Sequence, residues 1–117
     1  MLQIVPQLKT FLAVAPADFR KGIDGLAALC KHKLSEDPFS GSLFLFINKR
    51  NTAVQILVYD GQGFWLCLKR LSRGKFRYWP NEKERSSVSM KVSEVQALLY
   101  NGNPQNINSQ EEWRKVS

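Results

Sequence analysis

Residues 42–80 read SLFLFINKRNTAVQILVYDGQGFWLCLKRLSRGKFRYWP, and the fold turns on this stretch. Leu43 to Asn48, Ala53 to Tyr59 and Phe64 to Leu71 are rich in β-branched and aromatic residues, the side chains that fit a pleated, half-buried surface. Asn48-Lys49-Arg50-Asn51 and Asp60-Gly61-Gln62-Gly63 separate them, and both tetrads carry strong turn chemistry. Successive antiparallel strands joined by hairpins follow. Ser72-Arg73-Gly74 predicts one more hairpin, into a fourth strand from Lys75 to Trp79, and Pro80 stops that strand because proline has no N–H to give a ladder.

Outward from this block the period changes twice. On the N-terminal side Leu8, Thr10, Leu12 and Val14 alternate with Lys9, Phe11 and Ala13, a period-2 pattern that predicts a first strand ending before Pro16. Ile23, Leu26, Ala27, Cys30 and Leu34 then recur at helical spacing, with Asp18 as N-cap, Asp37-Pro38 as the stop, and Asp24, Lys31 and Lys33 on the polar face. On the C-terminal side Val88, Met90 and Val92 alternate again, Ser93-Glu94-Val95-Gln96 matches a capping box opening a short helix, and Gly102 closes it. The fold class expected is α+β: an antiparallel β-meander of about four to six strands with one main helix and a short C-terminal helix. Residues 1–102 form a single domain in this reading, and residues 103–117, polar and without periodicity, form a loosely held tail that includes Trp113.

A chain of 117 residues with 44% hydrophobic content supports one core and not two. The longest apolar run, Leu43 to Ile47, falls far below the ~20 residues needed to cross a bilayer, and the N-terminus lacks the marks of a signal peptide. A cytoplasmic protein without membrane contact is expected. Cys30 and Cys67, 37 positions apart in apolar stretches, have the surroundings of reduced, buried thiols rather than of metal ligands or a disulfide framework.

The formal net charge of +7 sits in the middle of the chain. Between Lys49 and Lys91 there are 10 Lys and Arg residues against Asp60, Glu82 and Glu84, whereas the rest of the chain cancels to zero. Lys69, Arg70, Arg73, Lys75 and Arg77 fall within nine acid-free residues and interleave with Leu71, Phe76, Tyr78 and Trp79. Such a composition suits a polyanion-binding surface.

Catalytic chemistry finds little support in the residues. His32, the single histidine, lies between two lysines near the end of the main helix, a place for a solvated or dipole-complementing side chain. Asp18, Asp24 and Asp60 are the carboxylates that a metal-dependent nuclease would gather, but Asp18 and Asp60 read as a helix cap and a turn residue, roles that demand short carboxylates by themselves. No Gly-rich loop followed by Lys-Ser or Lys-Thr cradles a nucleotide, so no cofactor or metal is expected.

Binding constellations stand out more clearly. Arg20-Lys21 precede the main helix, Lys49-Arg50 occupy a hairpin turn, and Lys69-Arg70 with Arg73, Lys75 and Arg77 end one predicted strand and enter the next. Long cationic side chains at element ends suit phosphate contact. On one strand parity Trp65, Cys67, Lys69 and Leu71 alternate, with Arg77 and Trp79 on the predicted neighbour, which places rings beside cations on one face. Packing of Trp65 and Trp79 beneath a helix is the competing reading of the rings. The candidate nucleic-acid contacts are therefore Arg20, Lys21, Lys49, Arg50, Lys69, Arg70, Arg73, Lys75, Arg77 and Trp79.

Pro16-Ala17-Asp18-Phe19-Arg20-Lys21-Gly22, Asp24-Gly25-Leu26, Asp37-Pro38-Phe39-Ser40-Gly41 and Tyr59-Asp60-Gly61-Gln62-Gly63-Phe64 follow one another along the chain. Lys69-Arg70-Leu71, Gly74-Lys75-Phe76 and Trp79-Pro80 complete the series. In this order and spacing the set resembles the TnpB, or Orf2-like, accessory proteins of the insertion sequence 66 group of bacterial transposable elements, which are unrelated to the RNA-guided nucleases sharing the TnpB name. Phe19 stands where that family usually has methionine, Tyr59 often aligns with tryptophan, and the tail after Gly102 is not shared. The resemblance implies a part in transposition beside a separate transposase and carries over no catalytic residue. DNA at the element ends is the first partner implied. The alternative is an adaptor that docks on the transposase through Phe39, Phe44, Phe46, Trp65 and Trp79.

Overall fold

Strand β2, Leu43–Ile47, is apolar at every position, the pattern of a strand covered on both faces. The computed structural model describes residues 8–102 and shows how that cover arises. Phe44 and Phe46 point into one core and Leu45 and Ile47 into another, all four essentially without solvent exposure. Full burial of each such side chain is worth about 1.5–3 kcal/mol, so this pentapeptide anchors both layers.

Around β2 the sheet is mixed. Strand β1 (Thr10–Ala13) runs parallel to β2, while β3 (Ala53–Tyr59) runs antiparallel on its other side. Strand β4 (Phe64–Arg70) pairs antiparallel with β3, and β5 (Ser87–Met90) pairs antiparallel with β1, giving the order β4-β3-β2-β1-β5. The α+β class expected from the sequence holds. The antiparallel meander extends only from β2 to β4, because β1 reaches β2 through a helical crossover, and a strand followed by a covering helix returns parallel.

That crossover is α1, Gly22–His32, preceded by a single 3-10 turn at Phe19–Lys21. Asp18 caps this turn rather than α1 itself, its carboxylate accepting the Arg20 N–H at 3.0 Å, and α1 starts from Lys21 without a side-chain cap. The helix stops at His32, short of Asp37-Pro38, and Ser35 then takes a left-handed conformation (φ 55°). Leu26, Cys30 and Leu34 pack on Ala13, Phe44, Phe46 and Leu57 from one face of the sheet. On the other face α2, Val92–Leu99, places Val95 and Leu98 on Leu12, Leu45, Ile47 and Val54.

Helix α2 begins two residues earlier than a Ser93 cap would allow. Lys91 is the N-cap, and Glu94 Oε1 accepts the Lys91 N–H at 3.0 Å, the backward half of a capping box. At its C-terminus Asn101, not Gly102, adopts the left-handed position (φ 63°). The Asn101 N–H bonds Leu98 O and the Gly102 N–H bonds Ala97 O, the two bonds of a Schellman closure.

The predicted fourth strand of the meander, Lys75 to Trp79, does not form. After Gly74 (φ 75°) the chain leaves the plane of β4 and crosses the α2 face. The Phe76 N–H bonds Asn51 O at 2.7 Å, and the Arg77 N–H and Lys75 O are both taken by the Asn101 side chain at 2.8 Å. With Phe76 buried and Trp79 half-buried in the α2-side core, the segment lies across that face instead of alongside β4. Cys30 is buried as expected, but Cys67 is exposed on β4, since that strand lies at the sheet edge. The expected tail, with Trp113, lies outside the described residues. Among the described residues no helix is long and apolar enough to cross a membrane.

Candidate nucleic-acid interface

Strand polarity sorts the charges. β1, β2 and β4 end, and β3 and β5 begin, at the same end of the sheet, so the connections 14–21, 48–52 and 71–86 all emerge there. Four backbone bonds hold these connections together: Ala17 N–H to Ile47 O, Leu71 N–H to Thr52 O, Phe76 N–H to Asn51 O and Val14 N–H to Ser86 O. Arg20, Lys21, Lys49, Arg50, Arg70, Arg73, Lys75 and Arg77 therefore share one end of the molecule, and all eight are exposed. Asp18, Asp24, Glu82 and Glu84 are the acids found with them. At the opposite end Lys9, Lys31, Lys33 and Lys91 are balanced by Glu36, Asp37, Asp60 and Glu94. The charge excess of the described residues is thus confined to one end, a polarity invisible in the linear order of Arg20 and Arg77.

Within the group the side chains are not equivalent. Arg20 makes two bonds to Asp18, Nε to Oδ1 at 3.1 Å and Nη2 to Oδ2 at 3.0 Å, and this fork holds the Asp18 carboxyl down at about 2, below its usual 3.8. Lys49 and Arg50 project from a turn that Asn48 braces, its Oδ1 accepting the Thr52 N–H at 2.9 Å and the Ala53 N–H at 3.2 Å, while Asn51 takes a left-handed φ of 59°. Arg73, Lys75 and Arg77 ride on the segment that Asn101 pins. Lys69, half-buried, turns inward from β4: its ammonium donates to Leu99 O and lies 4.0 Å from the centre of the Tyr100 ring.

The expected face of rings and cations is not assembled. Trp65 stands opposite Val58 near the far end of β4, 57% exposed, with its indole N–H on Asp60 Oδ2 at 2.7 Å. Trp79 is off the sheet ladder, and its indole N–H reaches Ala13 O at 2.9 Å. Of the rings proposed for an adaptor surface, Phe44 and Phe46 are fully buried. Phe39, 59% exposed, gathers instead with Tyr59 and Phe64 at ring-centre distances of 4.9 and 5.2 Å, at the end away from the basic residues.

Asp60 is a turn residue, as read from the sequence. Its Oδ1 accepts the Gly63 and Gln62 N–H groups, each at 2.9 Å, and these bonds, with that from Trp65, lower its pKa. Because Asp60 lies at the opposite end from Asp18 and Asp24, the three carboxylates do not meet. Lys83 and Arg85 lie on the connection 71–86 at the basic end and were not among the candidates; Glu82 and Glu84 masked them in sequence, and Glu82 sits 3.5 Å from Arg85. Asn101, which organises the Lys75–Arg77 segment, left no signal beyond a helix-terminating Asn-Gly pair.

Fold and site together define a small basic α+β protein whose mixed sheet gathers its excess charge at one end. Comparison with known proteins makes the assignment specific: the family described as IS66 Orf2 like protein matches residues 8–109. The chain belongs to this family. The match continues past Gly102, where the resemblance read from motifs had stopped. Among relatives, the uncharacterized protein y4jC of Sinorhizobium fredii is 40% identical over 73 residues, 62% of each chain. The uncharacterized protein y4hO of the same organism is 30% identical over 99 residues, 85% of this chain and 84% of its own. The chain thus spans less than two thirds of the first relative's length and most of the second's. No solved structure matches.

Proposed function

We propose that this protein serves transposition as a non-catalytic DNA-binding factor whose basic end grips the phosphate backbone. The supporting observation is the convergence of the three connections 14–21, 48–52 and 71–86 on one end of the sheet, which presents Lys21, Lys49, Arg50, Arg70, Arg73, Lys75 and Arg77 together. Charges spread over separate loops of one rigid sheet can follow a backbone that carries one phosphate per ~1.7 Å of duplex axis. Arg20, Lys69 and Trp79 act from within this end. Arg20 shapes the loop through Asp18, Lys69 ties β4 to α2, and Trp79 braces β1.

Fluorescence anisotropy on a duplex carrying the element's terminal repeat and on a shuffled duplex, each across a salt series, tests the reading. Neutralising five or six phosphates gives a slope of log K against log salt of roughly −4.5 to −5.4. Triple replacement of Arg73, Lys75 and Arg77 by alanine brings that slope up by about 2.7, at ~0.9 per contact, whereas replacing Lys31 and Lys33 at the balanced end leaves it unchanged. A wild-type slope near −1 would remove the electrostatic basis of the proposal.

The adaptor reading keeps one observation in its favour, the exposed Phe39 against Tyr59 and Phe64 at the end remote from the charges. Aromatic clusters of this kind anchor protein interfaces. Nuclease-resistant co-purification with the transposase, lost on Phe39→Ala, supports it; its persistence in that variant moves the contact elsewhere.

A further inference from the structure

Among the described residues strand β4 is a terminal strand, paired on one side only, and short of the exposed Arg70 at its end it carries none of the devices that usually blunt an edge. Its seven residues pair with β3 without a bulge, contain no proline, and expose apolar surface on both faces: Trp65 at 57% and Leu68 at 61%. Its one central cation, Lys69, is turned away to Leu99 O and Tyr100. The other terminal strand, β5, has four residues, two of them serines.

The hydrogen-bond phase of the free edge follows from the hairpin. Asp60 N–H bonds Gly63 O and Leu71 N–H bonds Thr52 O, so the bonded pairs of the β3–β4 ladder alternate between these two, through Val58–Trp65, Ile56–Cys67 and Val54–Lys69. Phe64, Leu66, Leu68 and Arg70 consequently direct their N–H and C=O groups outward. An antiparallel partner strand of the same sequence, centred on the midpoint Cys67, matches this phase: Leu66 meets Leu68, Phe64 meets Arg70, and both are bonded pairs. Trp65 meets Lys69, and Cys67 meets its own copy as a non-bonded pair. Like charges stay apart, and leucine faces leucine.

We propose that β4 is an interface for a second copy of this chain, extending the sheet across a two-fold axis at Cys67. The pairing is isologous, as closed dimers require, and sends the two basic ends in opposite directions.

Directly opposed, non-bonded antiparallel residues have Cα atoms ~4.5 Å apart, within the range of a disulfide. Cys67 is exposed, whereas Cys30 is buried with its thiol pushed up to about 12 by burial, so mild oxidation selects Cys67. Two measurements on the full chain test the proposal: sedimentation equilibrium in reducing buffer at high micromolar concentration, and non-reducing electrophoresis after diamide treatment. The expected results are a particle of twice the chain mass and a cross-linked dimer that Cys30→Ser retains and Cys67→Ser loses. Leu68→Pro, which removes an outward N–H and no β3 bond, yields a monomer; Leu68→Lys, which puts a charge on the edge, does the same and serves if the proline variant fails to fold. A monomeric wild type, or a dimer that survives Leu68→Lys, overturns the proposal.

Discussion

Trp79 donates its indole N–H to the backbone oxygen of Ala13, 66 positions earlier in the chain, at 2.9 Å. The bond joins the segment that replaced the predicted fourth meander strand to the last residue of β1, and it commits the polar edge of the indole to structure. Trp79→Phe keeps a ring in the α2-side core and deletes the bond, so stability falls by about 1 kcal/mol while the salt slope of DNA binding stays as in the wild type. Urea titration, read as a lower midpoint at unchanged m, checks the first part and anisotropy the second.

Asn101 performs two tasks that two substitutions separate. It occupies the left-handed position closing α2 (φ 63°), and its side chain accepts the Arg77 N–H and donates to Lys75 O. Asn101→Gly keeps the backbone conformation and loses the two bonds, each worth about 0.5–1.5 kcal/mol. Asn101→Ala loses the bonds and adds about 1–2 kcal/mol of left-handed strain. Thermal melting should rank wild type above the glycine variant and glycine above alanine, and amide exchange in residues 75–77 should quicken in both.

Gly25→Ala reverses the sign that helix propensity gives. Alanine is better than glycine in a helix by about 1 kcal/mol, but a Cβ at position 25 would stand 2.4 Å from the Cβ of Lys21. Because a Cβ moves only with its backbone, the junction between the 3-10 turn and α1 must shift, at a cost of about 1–3 kcal/mol. Calorimetry should show a lower melting temperature for Gly25→Ala, and an unchanged or higher one would mean that the junction yields freely.

Asp18 sets an acid dependence whose sign is determined by the Arg20 fork. Its carboxyl falls from 3.8 to about 2 on folding, so the unfolded chain takes up this proton first as pH drops. The stabilisation is complete above pH 3.8 and disappears as pH falls toward 2. Since the pair is exposed, added salt should diminish the effect. Asp18→Asn preserves a capping oxygen for the Arg20 N–H but not the ion pair, and it should flatten the stability profile in that window, measured by urea unfolding at successive pH values.

Local pattern carried much of the fold. Strands β2, β3 and β4 fall within a residue of their predicted bounds, because Asn48 and Asp60 bond nearby backbone N–H groups and so write their turns into the adjacent residues. Asp18 likewise caps from two residues away. Reading failed where a distant partner competed. Lys75 to Trp79 alternates well enough for a strand, yet Asn51, Asn101 and Ala13 claim its backbone and indole groups from 24 or more positions along the chain. Cys67 sits in an apolar run but lies at an edge, and edge position belongs to sheet order, not to sequence.

For the candidate site the division is the same. The amino-acid sequence by itself determined the element types, the turn residues, the basic excess and the family motifs, since each rests on the chemistry of a few neighbouring side chains. Only the tertiary structure decided that β1 and β2 run parallel, that Lys69 and Trp79 face inward, and that Arg20, Arg50 and Arg77 emerge together. The physical reason is that strand direction and pairing order are settled by burying Phe44 and Phe46 on one face of the sheet and Leu45 and Ile47 on the other, a requirement satisfied only when the whole chain has closed around β2.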